Sequence, residues 1–169
     1  MSEFNPYQAP GSDVEVIAGP QDRLAGRGQR LGAAIIDGII SLVFVVPVMM
    51  LMGTFEYTQQ GEEPPFMLTL AATVFAFVVF TLVHFVFLKR YGQTIGKWML
   101  NIHIADMEGN KAEVGTILFR RYLPISVVGL IPLVGQILPL VDILFIFRKD
   151  RRCVHDIIAG TQVLRDRGA

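Results

Sequence analysis

Two long apolar stretches dominate the pattern of this chain. Leu31 to Met52 contains one ionisable side chain, Asp37, and Phe66 to Leu88 contains one, His84. Each exceeds the roughly 20 residues that bridge a hydrocarbon core, so the pattern predicts an antiparallel transmembrane helical hairpin. The connector, Gly53 to Pro65, carries Glu56, Glu62 and Glu63 but no base. Pro47 predicts a kink in the first span, a defect that neighbouring helices re-satisfy. A third apolar stretch, Tyr122 to Phe147, is interrupted at its centre by Pro132-Leu-Val-Gly135, with Pro124, Gly129 and Pro139 around it. A helix breaks at such a place. Its halves are then roughly 15 to 18 Å long, about half of the core, which predicts a re-entrant or short helical hairpin.

Charge orients these segments. The 15 Lys and Arg residues lie in three stretches, Arg23 to Arg30, Lys89 to Arg121 and Arg148 to Arg167, and none lies between 31 and 88 or between 122 and 147. Cytoplasmic loops concentrate Lys and Arg, so all three stretches, and both termini, are expected on the cytoplasmic side of a bacterial inner membrane. The alternative is one tilted span over 122–147 with an external tail. Composition supports a membrane protein of one small domain, with 52% apolar residues, mean hydropathy +0.48 and zero formal net charge over 169 residues. That balance gives no reason to expect a nucleic-acid surface. The lone cysteine, Cys153, cannot form a disulfide or a cysteine-based metal site within one chain.

Residues 1–22 hold no base and no apolar run of signal-peptide length, and Asn5-Pro-Tyr with several Gly and Pro reads as an extended cytoplasmic tail. It is either a solubilising leader or a docking segment for a protein partner. The membrane domain is expected over 23–164, with a short tail at 165–169. Between the apolar segments, Leu100, Ile102 and Ile104 alternate with Asn101, His103 and Ala105, which predicts a strand. Glu108-Gly-Asn110 supplies a turn, so a small cytoplasmic β-hairpin is expected, with Gly160 to Leu164 as a possible third strand. His103 reads as a solvated strand residue. Trp98 beside Lys97 suits an interfacial anchor, and Val114 to Arg121 a short amphipathic helix. The fold class is therefore all-α, with this β element added.

Ionisable groups within a bilayer are costly, about 2.5 to 3.5 kcal/mol on insertion scales, and normally face the protein interior. Counted from the basic end of each segment at 1.5 Å per residue, Asp37 lies about 10 Å deep, Asp142 about 9 Å and His84 about 7 Å. Together with Arg30, and with Asp156 as a further candidate member, these groups are expected to form one polar cluster in the cytoplasmic half. Two carboxylates sharing a site favour keeping one protonated, which suits proton or cation exchange, whereas pairing with Arg30 would make a structural clamp. His155-Asp156 reads either as an acid/base pair or, more simply, as a structural one. The basic residues 148–152 either bind anionic headgroups or only fix topology. The loop Gly92 to Gly96 is a weak phosphate candidate. No nucleotide-binding or zinc-ligand pattern is present, so neither a cofactor nor an enzymatic role is expected.

Several of these residues together resemble the RDD family of bacterial membrane proteins, named for one arginine and two aspartates. The resemblance is carried by Arg30 and Asp37 in the first span, the loop Gly92-Gln-Thr94-Ile-Gly96-Lys97, Asp142, and the ending Arg151-Arg-Cys-Val-His155-Asp156-Ile-Ile-Ala-Gly160-Thr161. It runs from about Arg23 to Leu164, with Ile95 where the family often has proline. It implies a polytopic inner-membrane protein, and cation/proton exchange has been proposed for part of the family. Two spans and a broken hairpin do not readily enclose a pore, so transport would require a homo-oligomer, for which Gly28-xxx-Gly32 permits close helix contact. The alternative is a non-transporting scaffold that holds a partner through its tail and cytoplasmic loop.

Overall fold

The computed structural model describes residues 23–131 and 134–166. The expected N-terminal tail and residues 167–169 lie outside them. Helices α1 (Arg27–Leu51) and α3 (Phe66–Tyr91) are both long and apolar enough to cross a membrane, and α2 (Thr54–Gln60) lies in their connector. After α3 come a short α4 (Ile95–Met99) and strand β1 (Ile102–Ala105), then a π-helical segment, Thr116–Tyr122. Helices α5 (Leu123–Val128) and α6 (Val134–Leu144) follow, then a 3-10 turn (Phe145–Phe147), α7 (Val154–Ala159) and β2 (Gln162–Arg165). α1 continues through Pro47 without ending, because the proline lies close to the C-terminal end of the helix.

The buried core sits at one end of the bundle, the end that carries the strands. One cluster joins Leu88, Ile104, Ala112, Ile117 and Leu118, and a second joins Ala25, Ala33, Ile102 and Val163. Along the rest of α1 and α3 large apolar side chains point outward, with Leu51 87% and Leu82 71% exposed. Such a surface belongs in lipid rather than water.

The third apolar stretch is a helical hairpin. Its arms are α5 and α6, and they touch at Gly129 and Gly135, where a β-carbon on Gly135 would collide with the Gly129 carbonyl. Tyr122, at the start of the first arm, stacks at 6.3 Å from His155, and Asp142, near the end of the second, bonds the same residue. Both open ends therefore lie at the strand end of the molecule, as the central break predicts.

The β element differs from expectation. The turn at Asp106–Asn110 forms, but the returning chain contributes only an isolated bridge, Ala105 to Lys111. The partner of β1 is β2, antiparallel from Ile102↔Arg165 to Ala105↔Gln162, and Leu24 bridges Leu164 on the far side of β2. The sheet is a closure between remote segments rather than a local hairpin, and β2 extends to Arg165, one residue past the expected domain edge. His103 is not simply solvated, since its Nδ1 lies 2.5 Å from Asp166 Oδ1. The amphipathic helix expected at Val114 to Arg121 is the π-helical segment. Gly32 meets Leu100 within the chain, while Gly28 has open space around it.

The hairpin contact gives a direct stability test. Gly135→Ala should lower thermal stability in detergent by about 1–3 kcal/mol, the usual cost of overpacking. Gly38→Ala, which meets nothing within 4 Å, should be neutral or stabilising by roughly 0.5–1 kcal/mol. Equal effects at the two sites would refute close apposition of the arms.

Candidate functional site

The glycine-rich loop after α3 folds onto α1 and surrounds Asp37. Gly92 ends α3 in the left-handed conformation at φ 67°, and Thr94 then caps α4, its hydroxyl accepting from the Lys97 amide. Gly96 lies so close to α1 that a β-carbon would collide with the Ala33 carbonyl and lie 2.9 Å from Asp37 Oδ1. Only glycine lets its amide reach that carboxylate. Gly96 N–H donates to Asp37 Oδ1 at 2.7 Å and the Thr94 hydroxyl donates to Oδ2 at 2.5 Å, with Lys97 Nζ 3.7 Å from Oδ2. The loop thus presents its donors to a carboxylate of its own chain, which corrects the expectation of a phosphate cradle.

His84 completes this first network from α3. It is fully buried, with Nε2 3.2 Å from Asp37 Oδ1 and Nδ1 3.0 Å from the Phe80 carbonyl. Both partners are acceptors. A neutral imidazole has one N–H, so it can satisfy one of these contacts and leaves two lone pairs facing each other at the other. Both contacts are made only when the His84–Asp37 pair holds one further proton, on the ring or on the carboxyl.

A second network lies around α7. Arg30 on α1 donates to Asp156, to the Arg151 carbonyl and, at 3.3 Å, to Cys153 Sγ. Arg121, 1% exposed, meets the other oxygen of Asp156 at 2.9 Å, and Asp156 also accepts from the Cys153 amide at 3.0 Å. Arg151 adopts φ 52°, which directs its carbonyl to Arg30 and its guanidinium to the Leu24 and Ala25 carbonyls. A non-glycine residue pays for that conformation, which marks the loop as constrained by these bonds. His155 extends the chain of bonds. Its Nε2 lies 2.9 Å from an Arg121 guanidinium nitrogen, and its Nδ1 lies 2.7 Å from Asp142 Oδ2. A guanidinium only donates, so Nε2 accepts, Nδ1 carries the proton and donates to Asp142.

These contacts set the charges. Burial first, then the nearby Arg121 cation, lower the His155 pKa and keep the ring neutral. Burial alone would raise the Asp156 carboxyl, but the charges of Arg121 and Arg30 outweigh it and hold Asp156 well below the usual carboxylate range. Burial pushes the Cys153 thiol up to about 11, only partly offset by Arg30. Asp142, Cys153 and His155 bring ligand-type atoms within 4.8 Å of one another. A metal on Nδ1 would move the ring proton to Nε2, against the Arg121 donor, so the arrangement fits an ion-pair network better than a metal centre.

The structure therefore brings the expected residues together in two networks instead of one. Asp37 joins His84, Thr94, Gly96 and Lys97, whereas Arg30 joins Asp156 and Asp142 joins His155. Thr161 belongs to the second, donating to Asp156 at 3.4 Å, and Gly160 ends α7 at φ 63°. Arg121, which sequence reasoning assigned only to a basic stretch, is central. The signal available was its position at the very edge of an apolar segment. His155 faces Asp142, with Asp156 Oδ1 farther, at 3.8 Å from Nε2. Phe80 stacks on His84 at 4.5 Å and meets Tyr122 in a tilted contact at 4.7 Å. Above it lies a cavity of about 370 Å³ lined by Ser41, Thr73, Phe80, Tyr122 and Ser126 among others. A second cavity of about 280 Å³, which shares Val45, Thr73 and Ala76 with the first, continues toward α2.

The sequence model of the RDD family matches residues 24–160 of this chain. An "Uncharacterized protein YckC" of Bacillus subtilis is 30% identical over 143 residues, covering 82% of this chain and 83% of the relative. An "Uncharacterized protein" of Haemophilus influenzae is 31% identical over 96 residues, covering 56% of this chain and 59% of that protein's length. No solved structure matches.

Two measurements check the second network. Removing one partner of a buried ion pair costs about 3–5 kcal/mol because the other charge is left unpaired. Arg30→Ala and Asp156→Asn should therefore couple strongly in a thermal double-mutant cycle, while Arg30→Ala and Asp37→Asn, which share no partner, should add within about 0.5 kcal/mol. The pH dependence has a definite sign. Because the folded His155 pKa lies below its ordinary 6.5, the unfolded chain binds more protons below that pH, so stability is full above 6.5 and falls as pH drops through it. The depressed Asp156 carboxyl acts in the same direction, beginning only below its ordinary 3.8. His155→Gln keeps a donor and an acceptor without titrating and should flatten the slope just below pH 6.5. An unchanged slope would show that His155 is not its source.

Proposed function

We propose that this chain, which belongs to the RDD family and whose two long apolar helices together with that membership point to a membrane protein, translocates protons as an oligomer through the His84–Asp37 pair. The observation that carries this reading is the fully buried histidine with an acceptor against each ring nitrogen. Such a pair stores one proton. An ionisable pair within a membrane helix bundle is a functional candidate because its cost is otherwise unrewarded. The cavities between α1, α3 and α5, mainly apolar with Ser41, Thr69, Thr73 and Ser126 among their lining, supply an approach from the α2 side as far as Phe80. On the other side, Thr94 and Lys97 connect Asp37 to the strand end.

In this reading the strand end and both termini are cytoplasmic, the α2 connector is external, and the α5–α6 hairpin is re-entrant. The three basic stretches lie on the side the positive-inside rule requires. The Arg30–Asp156–Arg121 network has a different part. Counting Asp142, which joins through His155, its two guanidiniums are balanced by two carboxylates, so it serves as the clamp that fixes α1 against the C-terminal segment. Two spans and a half-depth hairpin do not close a pathway alone, which is why the working unit is an oligomer.

Purified protein in vesicles provides the test. An imposed pH gradient should drive a proton flux that Asp37→Asn and His84→Gln abolish with assembly intact, whereas deletion of residues 2–20 leaves it unchanged. Nitrogen-15 spectra of the imidazoles should show both ring nitrogens of His84 protonated in the resting state if the proton sits on the ring. Absence of flux at any pH, with or without alkali cations, would remove the transport reading and leave a scaffold. Orientation is tested separately, since a membrane-impermeant thiol reagent added outside should label a cysteine at Gln60 but not one at Ser2 or Ala169. External labelling at Ala169 would overturn the re-entrant hairpin.

A further inference from the structure

The basic loop after the 3-10 turn borders a pocket that neither buried network uses. This pocket, about 400 Å³ in volume, is lined by Leu24, Met107, Lys149, Asp150, Arg152 and Gln162. Its size lies within the range of small-ligand sites. Arg152 is held in place from one edge, Nε donating to the Thr161 carbonyl at 3.0 Å and one terminal nitrogen to the Asp156 carbonyl at 3.2 Å. Its other terminal nitrogen makes no bond to a described residue. Lys149 makes no hydrogen bond or ion pair with any described residue. Asp150, which accepts from the Arg152 amide at 3.4 Å, has its charge matched by Arg148, which meets it at 3.2 and 3.3 Å. The Gln162 amide is committed to the Asp106 and Met107 carbonyls at 2.9 and 3.3 Å. What remains is a concavity with a fixed guanidinium and a free ammonium, and no unneutralised carboxylate.

We propose that this pocket binds a phosphate-bearing anion, through Lys149 and Arg152. A pre-positioned guanidinium and a mobile ammonium together match a tetrahedral anion with several acceptor oxygens. The segment that leads into the loop favours a phosphate carried by a lipid. Leu140, Leu144 and Phe147 are 65%, 63% and 63% exposed on the α6 side of Lys149. Acyl chains would lie along that apolar face while the headgroup reaches the basic loop. The same chemistry would accept free phosphate, and the two sources separate by experiment. This site does not depend on the transport reading, since it shares no residue with the His84–Asp37 pair.

The test uses the full chain purified in detergent. Its thermal midpoint is followed with added phosphatidylglycerol, with phosphatidylcholine and with inorganic phosphate, and lipid retained by the protein is counted by native mass spectrometry. Phosphatidylglycerol is expected to raise the midpoint and to be retained, with phosphatidylcholine ineffective. A rise with inorganic phosphate alone would keep the site and assign it to the free anion. Lys149→Glu, on a residue without folded partners, should weaken the interaction by at least about fivefold, the effect of one basic charge near an anionic surface. Arg120→Glu removes an equal charge from elsewhere on the surface and should leave binding within about twofold. The proposal is overturned if neither anion stabilises the protein, if phosphatidylcholine does so equally, or if the two variants weaken binding alike.

Discussion

One carboxylate, Asp156, ties together three parts of the chain that are distant in sequence. Arg30 reaches it from the first helix, Arg121 from the π-helical segment, and the Cys153 amide from the start of its own helix. A buried ion cluster of this kind adds little to stability compared with apolar packing, because each charge must be stripped of water. What it supplies is specificity. Its partners cannot be exchanged without leaving a charge alone, so α1, the hairpin entrance and α7 have one mutual arrangement. The sheet follows from that arrangement, since Asp156 fixes α7 and β2 begins three residues beyond its end.

The same logic separates the two networks by chemistry. Around Asp156, two permanent cations face two carboxylates and the one imidazole is neutral, so the cluster is electrically closed. Around Asp37, the partners are an imidazole with an acceptor against each ring nitrogen, a hydroxyl, an amide and a lysine at 3.7 Å. This second set contains no guanidinium. A clamp and a pair of proton-exchanging carboxylates were competing readings of one expected cluster; the structure instead puts Asp37 and Asp142 in separate networks.

Elements whose signal is local were legible in the sequence. The long helices follow from the apolar length of Leu31 to Met52 and Phe66 to Leu88, and the hairpin from the Pro and Gly residues that interrupt the third apolar stretch. The strand at Ile102 was visible in its alternation, and the Gly160 to Leu164 segment was expected only as a third strand beside a local hairpin, not as the direct partner of β1. A nearby turn at Glu108-Gly109-Asn110 favours a local return, whereas the pairing realised is with Gln162–Arg165, which tertiary ion pairs bring alongside. Asp37 and His84 stood out because charge within an apolar run is costly. Arg121 did not, because a basic residue at a segment boundary is fully explained by topology until its burial is known. Asp156 was paired in sequence with the histidine beside it, while in space its main contacts are arginines from remote segments.

Depth along the helices placed Asp37, Asp142 and His84 at similar levels, with Arg30 nearer the basic end, and depth alone cannot say whether groups at one level meet. Aromatic rings decide it. Phe80 lies over His84 at 4.5 Å, and Tyr122 lies between Phe80, at 4.7 Å, and His155, at 6.3 Å. These rings occupy the space through which the two sets of charges would otherwise join, and in a low-dielectric interior a few ångströms of apolar packing is enough to make each set satisfy itself. Both do. Asp37 finds its donors in the loop folded against α1, Asp142 finds His155, and Arg30 finds Asp156. The one expected cluster therefore resolves into two because each half can balance its own charge, and Phe80 and Tyr122 are placed to keep them apart.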